Sequence, residues 1–130
     1  IEELLEKNGL DKIWKYGNDL LTGLQRIINN NGLNGVVTPL GLGVRSILTF
    51  PHADDQETLN RRTFFMQECV KRGLLYFCLH IPCVAHGEKE LEFTLKVFSQ
   101  VMPLFAAAHQ ADNFAESLEG PCVESVFRKA

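Results

Sequence analysis

Residues 54–79, DDQETLNRRTFFMQECVKRGLLYFCL, predict a helix that leads directly into a strand. Asp54 can cap the helix, and Glu57, three residues on, completes a pair that resembles a capping box. Gly73 is expected to end the helix, because glycine adopts the left-handed C′ conformation at little steric cost. The wholly apolar run 74–79 then predicts a short strand in the centre of a sheet.

The residues before this stretch predict one helix and one hairpin. Apolar side chains recur at helical spacing over residues 10–31, and Gly32 is a strong stop signal. Two runs typical of strands follow at 36–40 and 44–50. Residues 41–43, Gly-Leu-Gly, can supply the positive φ that a tight turn between these strands needs.

The residues after it predict a loop, a third helix and a tail. Residues 81–87 are expected to be irregular, and the third helix begins near Glu88, where negative charge is favoured. Pro103 lies within the apolar stripe of this helix, so we expect it to kink or restart the helix. Residues 109–130 are a polar C-terminal tail that is too sparse to pack alone.

The predicted order is α-β-β-α-β-α, which favours an α+β fold. We expect a small antiparallel sheet with helices packed mainly on one face. The other face would then need a cover, which a larger parent protein could supply. Residues 1–130 are read as a single domain, and residues 1–9 as the end of a connecting helix. The chain opens on Ile1 within an apolar pattern, which suggests a piece of a longer protein.

Composition excludes several classes of partner. The 130 residues are 45% hydrophobic and carry a formal net charge of -3. No basic stripe stands out, so nucleic acid is not an expected partner. No run of 18 apolar residues is present in the sequence, so no membrane-spanning segment is expected.

The four cysteines are spaced irregularly and are expected to be free thiols in a cytoplasmic protein. A zinc site is the alternative, because Cys78, His80, Cys83 and His86 lie within nine positions. Their spacing does not match two ligand pairs on separate turns. We therefore predict no metal site and keep a zinc-binding module as a hypothesis that metal analysis can exclude.

No motif for self-sufficient catalysis is present. The sequence contains neither a Gly-rich phosphate-binding loop nor a Gly-x-Ser-x-Gly elbow. A Schiff-base lysine would need a desolvated pocket beside a cofactor. The lysines at 12, 15, 71, 89 and 96 all look like solvated residues on helix faces. No catalytic residue is therefore predicted in this segment.

Four segments, taken in order, resemble the small C-terminal domain of class III pyridoxal-phosphate (PLP) aminotransferases. The likeness covers nearly the whole chain and is greatest for the branch of glutamate-1-semialdehyde aminomutases. The segments are WKYGNDLLTGL at 14–24, FMQECVKRGLL at 65–75, HIPCVAHGEKEL at 80–91, and the ending from LEGP at 118–121 to VFR at 126–128.

The resemblance implies a fold-type I enzyme, usually a homodimer, that acts on an amino-acid or amino-aldehyde substrate. Its large domain binds PLP through a lysine that precedes this segment, so the cofactor is bound mainly outside it. The small domain closes the active-site cleft and aids substrate recognition. The isolated chain is accordingly expected to be inactive.

Four residues are candidates for substrate binding under this resemblance. Glu88 matches the position of an acidic residue that the aminomutase branch places near the amino group, although simple helix N-terminal charge is the alternative. His80 stands in the stretch where many members carry a carboxylate-binding arginine, and His86 matches a family histidine that braces a loop. Arg45 is a further anion contact, with a surface ion pair as its alternative.

A second interpretation needs no parent enzyme. The same α+β fold would suit a stand-alone ligand-binding or regulatory module without catalysis. The coding sequence upstream of Ile1 separates the two, because only the first requires a lysine-bearing large domain there.

Overall fold

The helices of the protein lie close to their predicted positions. The computed structural model describes residues 8–124, so most of the predicted connecting helix at 1–9 and the end of the tail lie outside the described residues, and Gly9 begins the next helix instead. Together with the strands, the helices follow the predicted order, so the α-β-β-α-β-α prediction is confirmed. They are α1 at Gly9–Asn30, α2 at Asp55–Lys71, α3 at Glu88–Ala111, and a short 3-10 helix at Ala115–Ser117.

Three strands form an antiparallel sheet in the order β1-β2-β3. The row Leu40–Ile47–Leu79 crosses all three strands and defines their register. The central strand is therefore β2, not the segment after α2 as predicted from its apolar run. The strands are β1 at Thr38–Leu42, β2 at Arg45–Thr49 and β3 at Leu79–His80.

The third strand is shorter than its sequence suggests. Of the predicted strand 74–79, only Leu79 belongs to β3, which lies at the edge of the sheet. Cys78 has a φ of 63°, which is outside the extended region and interrupts regular pairing. Its carbonyl still accepts a hydrogen bond of 2.8 Å from the Leu48 N–H.

The hairpin turn is also displaced from the prediction. It lies at residues 43–44, not 41–43, and β1 is shifted toward it. The N–H groups of Val36 and Val37 bond locally to the Leu33 carbonyl, at 2.9 and 3.0 Å, and so are not available to the sheet. Gly41 is used within β1 instead: its φ is 104°, and a Cβ there would collide with the Arg45 carbonyl.

Helix α1 crosses the hairpin turn at very close range. A Cβ on Gly17 would collide with the backbone of Gly43, so the two glycines allow the helix and the turn to touch. The buried face of α1 differs partly from the predicted one: Tyr16 is buried, whereas Leu10 and Trp14 are 56% and 40% exposed. The contact at Gly17 fixes the rotation of the helix against the sheet.

Helix α2 has the predicted cap but not the predicted capping pair. The Asp54 side chain accepts a 3.0 Å hydrogen bond from the Gln56 N–H. The Asp54 N–H, however, donates to Nδ1 of His52, so it does not bind Glu57. Glu57 instead accepts a 3.2 Å hydrogen bond from Nε of the buried Arg61.

Helix α3 runs through Pro103 without a restart and ends at Ala111. The prediction of a restart is therefore wrong. The missing N–H of Pro103 removes one hydrogen bond within the helix, and the packing of the fully buried Met102 and Phe105 holds the helix together around it. Beyond the helix the chain folds back onto α2, where Gln67 hydrogen-bonds the backbone of Ser117 and Glu119.

The core lies between the inner face of the sheet and the helices. Phe65 of α2 is fully buried at its centre, with its ring 5.6 Å from that of Phe50 and 5.7 Å from that of Phe98. Burial of each such ring contributes about 1.5–3 kcal/mol. Among residues 8–124 no helix packs on the outer face, where Leu40, Ile47 and Leu79 are 40–50% exposed. Helices on one face of a small antiparallel sheet are the predicted α+β architecture.

Candidate functional site

Two predicted histidines meet around a tyrosine that the sequence did not single out. The Tyr16 ring of α1 stacks on His80 at 5.6 Å and on His86 at 5.2 Å, measured between ring centroids. The two imidazoles are 5.7 Å apart. We call these three residues the ring cluster. It joins α1, β3 and the loop before α3, and so lies where the edge of the sheet meets the start of the last helix.

His80 is held as a neutral ring on the inner side of the sheet. It pairs with Ser46 of β2, and its Nε2 atom is buried without a hydrogen-bond partner among residues 8–124. Burial, and to a smaller extent the nearby His86, lower the pKa of His80 to about 4. A neutral imidazole with a buried nitrogen can accept or donate one hydrogen bond to a ligand but cannot supply charge at neutral pH.

His86 braces the loop that precedes α3. Its Nδ1 atom accepts a 2.9 Å hydrogen bond from the Cys83 N–H. When the ring is neutral, Nε2 therefore carries the proton and can donate it to a ligand. The Glu90 carboxylate, one helical turn along, accepts a 2.9 Å hydrogen bond from the Gly87 N–H, which is the main cause of its lowered pKa.

Glu88 lines a cavity of about 310 Å³ beside the ring cluster. Across it, Lys15 of α1 forms a 2.6 Å ion pair with Asp19. The pKa of Lys15 is raised, mainly by the hydrogen bond and charge of Asp19 and to a smaller extent by Glu88. The wall of this cavity therefore carries both positively and negatively charged side chains. The lining residues are Lys12, Lys15, Tyr16, Asp19, Val84, His86, Gly87, Glu88 and Leu91.

A second cavity, of about 320 Å³, lies on the other side of the ring cluster. Tyr16, His80 and His86 line it together with apolar side chains from β3 and α3. Burial raises the pKa of Tyr16, and a hydrogen bond with Thr94 partly opposes this rise. The Tyr16 hydroxyl is therefore a neutral donor or acceptor in a recess whose lining is mainly apolar but also includes Glu90 and Thr94.

Arg45 does not join this group. Its neighbour Ser46 pairs with His80 on the inner side, so the alternation of β2 places Arg45 on the outer face. It lies opposite Leu42 in the register and is exposed. Among residues 8–124 no carboxylate lies within ion-pair distance of it. The structure thus places Glu88 beside His86 in one cavity and His80 beside His86 in the other, and leaves Arg45 on a different surface.

Tyr16 is the site residue that sequence reasoning missed. It falls within the helical pattern of α1, but an aromatic residue at helical spacing is usually a core residue and gives no further signal. Its contacts come from β3 and from the loop before α3, which are distant from α1 in sequence. Only the closed tertiary structure brings the rings of residues 16, 80 and 86 together.

The cysteines are free, as predicted, in the described part of the chain. Cys69 and Cys78 are buried, and burial raises the pKa of each thiol to about 12. The four residues of the alternative zinc cluster do not converge on one point: His80 and His86 meet in the ring cluster, but Cys78 is buried and Cys83 is exposed. Within residues 8–124 no three His, Cys, Asp or Glu side chains come together as a metal site would require.

None of the described helices is long and apolar enough to span a bilayer.

The lysines of the described part are all exposed on helices. Lys15 and Lys71 are also ion-paired, which raises the pKa of both amines and keeps them protonated. A protonated, solvated amine does not attack a carbonyl. None of the lysines at 12, 15, 71, 89 and 96 therefore suits a Schiff base.

Comparison with known proteins gives a likeness of fold. No protein-family model matches the chain. No curated protein matches it either. Solved structures do match: the FumI protein of Sphingopyxis sp. MTA144 in its PLP internal aldimine form has a TM-score of 0.69 and 21% sequence identity, and covers 91% of this chain.

Two further structures have the same fold. A transaminase with PLP bound has a TM-score of 0.69 and 16% identity over 83% of this chain. An omega-transaminase from Sphaerobacter thermophilus has a TM-score of 0.61 and 14% identity over 75% of it. This chain spans only about a quarter of the length of each, 24–26%. The α+β architecture is thus one that occurs as part of PLP transaminases.

Proposed function

We propose that this chain is the small C-terminal domain of a PLP-dependent aminotransferase. The observation that carries the proposal is the fold: it matches three PLP transaminases or relatives over 75–91% of this chain, but over only 24–26% of theirs. The ordered segments that resemble class III enzymes support it independently. In this role the domain closes one wall of the active-site cleft and contributes to substrate recognition.

The described residues do not themselves fit the covalent site of PLP. Their lysines are exposed, and residues outside 8–124 would have to hold the cofactor. PLP, when bound, supplies an electron sink for chemistry at the amino-bearing carbon of the substrate. The contribution of this chain is therefore positioning, exclusion of water and recognition of the substrate's polar groups.

The ring cluster and Glu88 are the residues proposed to recognise the substrate. Glu88 receives or orients an amino group, since its carboxylate lines the 310 Å³ cavity. His80, which burial keeps neutral, and the Nε2 atom of His86 offer hydrogen bonds to the rest of the molecule. The hydrogen bond from the Cys83 N–H to His86 holds this loop in place.

We further propose that the parent enzyme belongs with the glutamate-1-semialdehyde aminomutases and works as a homodimer in the cytoplasm. The absence of an arginine from residues 79–86 supports this branch, because a carboxylate-binding arginine there is typical of other class III members. An amino-acid or amino-aldehyde substrate follows. An aminomutase converts a single substrate, whereas a transaminase needs a separate amino acceptor, so the dependence of the rate on an added 2-oxo acid separates the two.

The test is to clone the coding sequence upstream of Ile1 and to purify the parent chain. We expect an upstream domain about three times as long as this one, a lysine-bound PLP chromophore and amino transfer to or within a small substrate. A stop codon directly upstream, or an unrelated upstream domain, would contradict the proposal and favour the stand-alone module.

Glu88 is tested in the same parent chain by Glu88→Gln, with Glu92→Gln as the matched control. Glu92 is exposed on the next turn of α3 and does not line the cavity. Loss of a charged hydrogen bond to an amino group should raise KM for the amino substrate roughly tenfold or more. If both variants have the KM of the wild type and lose only a little thermal stability, the Glu88 charge serves only to stabilise the N-terminus of α3.

A further inference from the structure

The connection between α1 and β1 carries two asparagine–glycine pairs, at residues 31–32 and 34–35. A third pair, at residues 8–9, lies at the border of the described residues. In such a pair the glycine nitrogen can attack Cγ of the asparagine, because glycine has no Cβ to obstruct the approach. The new C–N bond closes a succinimide ring, and the Nδ2 group leaves as ammonia with the glycine N–H proton. Water then opens the ring to aspartate or isoaspartate, so an amide becomes a carboxylate.

The first pair of this connection is held in the C-terminal cap of α1. Gly32 has a φ of 67°, and its N–H donates a 3.1 Å hydrogen bond to the Asn29 carbonyl, as in a Schellman motif. The Asn31 Nδ2 group donates a 2.8 Å hydrogen bond to the Ile27 carbonyl. Both the attacking and the leaving nitrogen are therefore occupied, and the end of the helix must open before the ring can close.

The backbone of the second pair is free of such bonds. Asn34 and Gly35 are both exposed, and a Cβ added to Gly35 would meet no atom within 4 Å. The Gly35 N–H makes no hydrogen bond of ordinary length with any of residues 8–124. The turn around it is held instead by Val37, whose N–H donates to the Leu33 carbonyl at 3.0 Å. The attacking nitrogen of this pair is therefore available in the folded chain.

The side chain of Asn34 makes one long contact, and this contact leaves its nitrogen free. The Nε2 atom of Gln25 lies 3.5 Å from Oδ1 of Asn34, and a 2.9 Å hydrogen bond to Asn29 holds Gln25 in place. Negative charge develops on Oδ1 when Cγ is attacked, so a donor at that position favours the reaction. Within the described part of the chain the Nδ2 group of Asn34 donates no hydrogen bond that would retain it.

We propose that Asn34 is a site of spontaneous modification in the folded chain, at which the Gly35 nitrogen displaces ammonia and water completes the conversion to aspartate and isoaspartate. The same fold protects Asn31, three residues away. The product carries one more negative charge than the unmodified chain, whose formal net charge is -3. The new carboxylate lies beside Gln25, which lines the groove between α1 and β1. This chemistry needs only the chain and water, so it does not depend on the proposed function.

Peptide mass spectrometry of the 130-residue chain, incubated in buffer and in urea, tests the site. Trypsin cuts after Arg26 and Arg45. Asn31 and Asn34 therefore fall in one peptide, in which fragment ions locate each conversion by its mass increase of about 1 Da. In urea both asparagines should react at similar rates, because both precede glycine. In buffer Asn31 should slow roughly tenfold or more, since two hydrogen bonds must break, whereas Asn34 should change by less than about threefold.

Two substitutions within the same peptide provide the controls. Asn34→Gln should abolish most of the conversion in buffer, because the longer side chain cannot close the five-membered ring. Asn30→Gln, at an exposed position that no glycine follows, should leave the conversion unchanged. An Asn34 that slows in buffer as much as Asn31 would overturn the inference, as would conversion of the peptide that persists in Asn34→Gln. Equal rates at Asn31 in buffer and in urea would overturn the protection by the helix cap.

Discussion

At the scale of single residues, two positions carry constraints that substitution can measure. Gly17 permits the closest contact between helix α1 and the hairpin turn, because its missing side chain leaves room for the Gly43 backbone. His80 is the histidine of the ring cluster whose Nε2 atom is buried without a hydrogen-bond partner among residues 8–124. The first concerns packing and the second concerns protonation, so the two are tested by different experiments.

Gly17→Ala should destabilise the protein by about 1–3 kcal/mol in urea unfolding. The added Cβ collides with the backbone of Gly43, and backbone cannot move aside as a side chain can. Gly23→Ala is the control: its Cβ would lie 2.7 Å from the flexible end of Leu95, which can rotate, and alanine also favours the helix. Equal stabilities of the two variants would show that the contact at Gly17 is not constrained.

We expect the lowered pKa of His80 to reduce the stability of the folded protein in mild acid. Its pKa is lowered from 6.5 to about 4 in the folded state, so the unfolded chain takes up the proton first as the pH falls. Stability linked to His80 is therefore constant above pH 6.5 and is lost between pH 6.5 and 4. His80→Gln should show a smaller fall in melting temperature over this interval than the wild type. The same slope in the wild type and in His80→Gln would contradict the assignment.

At the scale of elements, the sheet separates two environments within one strand. Ile47 and Leu48 are adjacent in β2, yet Ile47 is 40% exposed on the outer face and Leu48 is 4% exposed on the inner face. The helices cover only the inner side. Neighbouring residues of similar size therefore contribute very differently to the stability of the isolated chain.

We expect Ile47→Thr to change the free energy of unfolding of the isolated chain by no more than about 0.5 kcal/mol. Leu48→Thr should cost about 2–5 kcal/mol, because it leaves a cavity and places a hydroxyl in the core. Both values come from urea titrations of the 130-residue chain. A large loss in Ile47→Thr would mean that the outer face is already covered in the isolated chain.

At the scale of the whole molecule, the chain is a folded unit with its own core but an incomplete surface. The helices and the inner face of the sheet bury the aromatic side chains, so the core does not depend on another domain. The outer face of the sheet, in contrast, leaves Leu40, Ile47 and Leu79 40–50% exposed.

The isolated chain should therefore fold but remain without cofactor. When it is incubated with PLP and desalted, no absorbance band should remain at about 400 nm, because no described lysine is desolvated. It should also show no amino transfer from an amino acid to a 2-oxo acid. A retained band that survives removal of free cofactor would contradict the prediction and would indicate a site within these 130 residues.

The sequence by itself determined the elements and their order. Helix α1 is predicted to within one residue at each end, because amphipathic spacing and the stop at Gly32 are local signals. The Asp54 cap and the start of α3 at Glu88 are local in the same way. Such signals depend on residues a few positions apart, and these interact before any tertiary contact forms.

Only the tertiary structure decided which strand is central, where the hairpin turns and which rings meet. The apolar run 74–79 gave no sign of the positive φ at Cys78 or of its place at the edge of the sheet. The ring cluster depends on residues 16, 80 and 86, which no pattern along the chain connects. Contacts of this kind follow from how helices and sheet pack in space, because side chains distant in sequence are brought together only when the apolar faces close on one another.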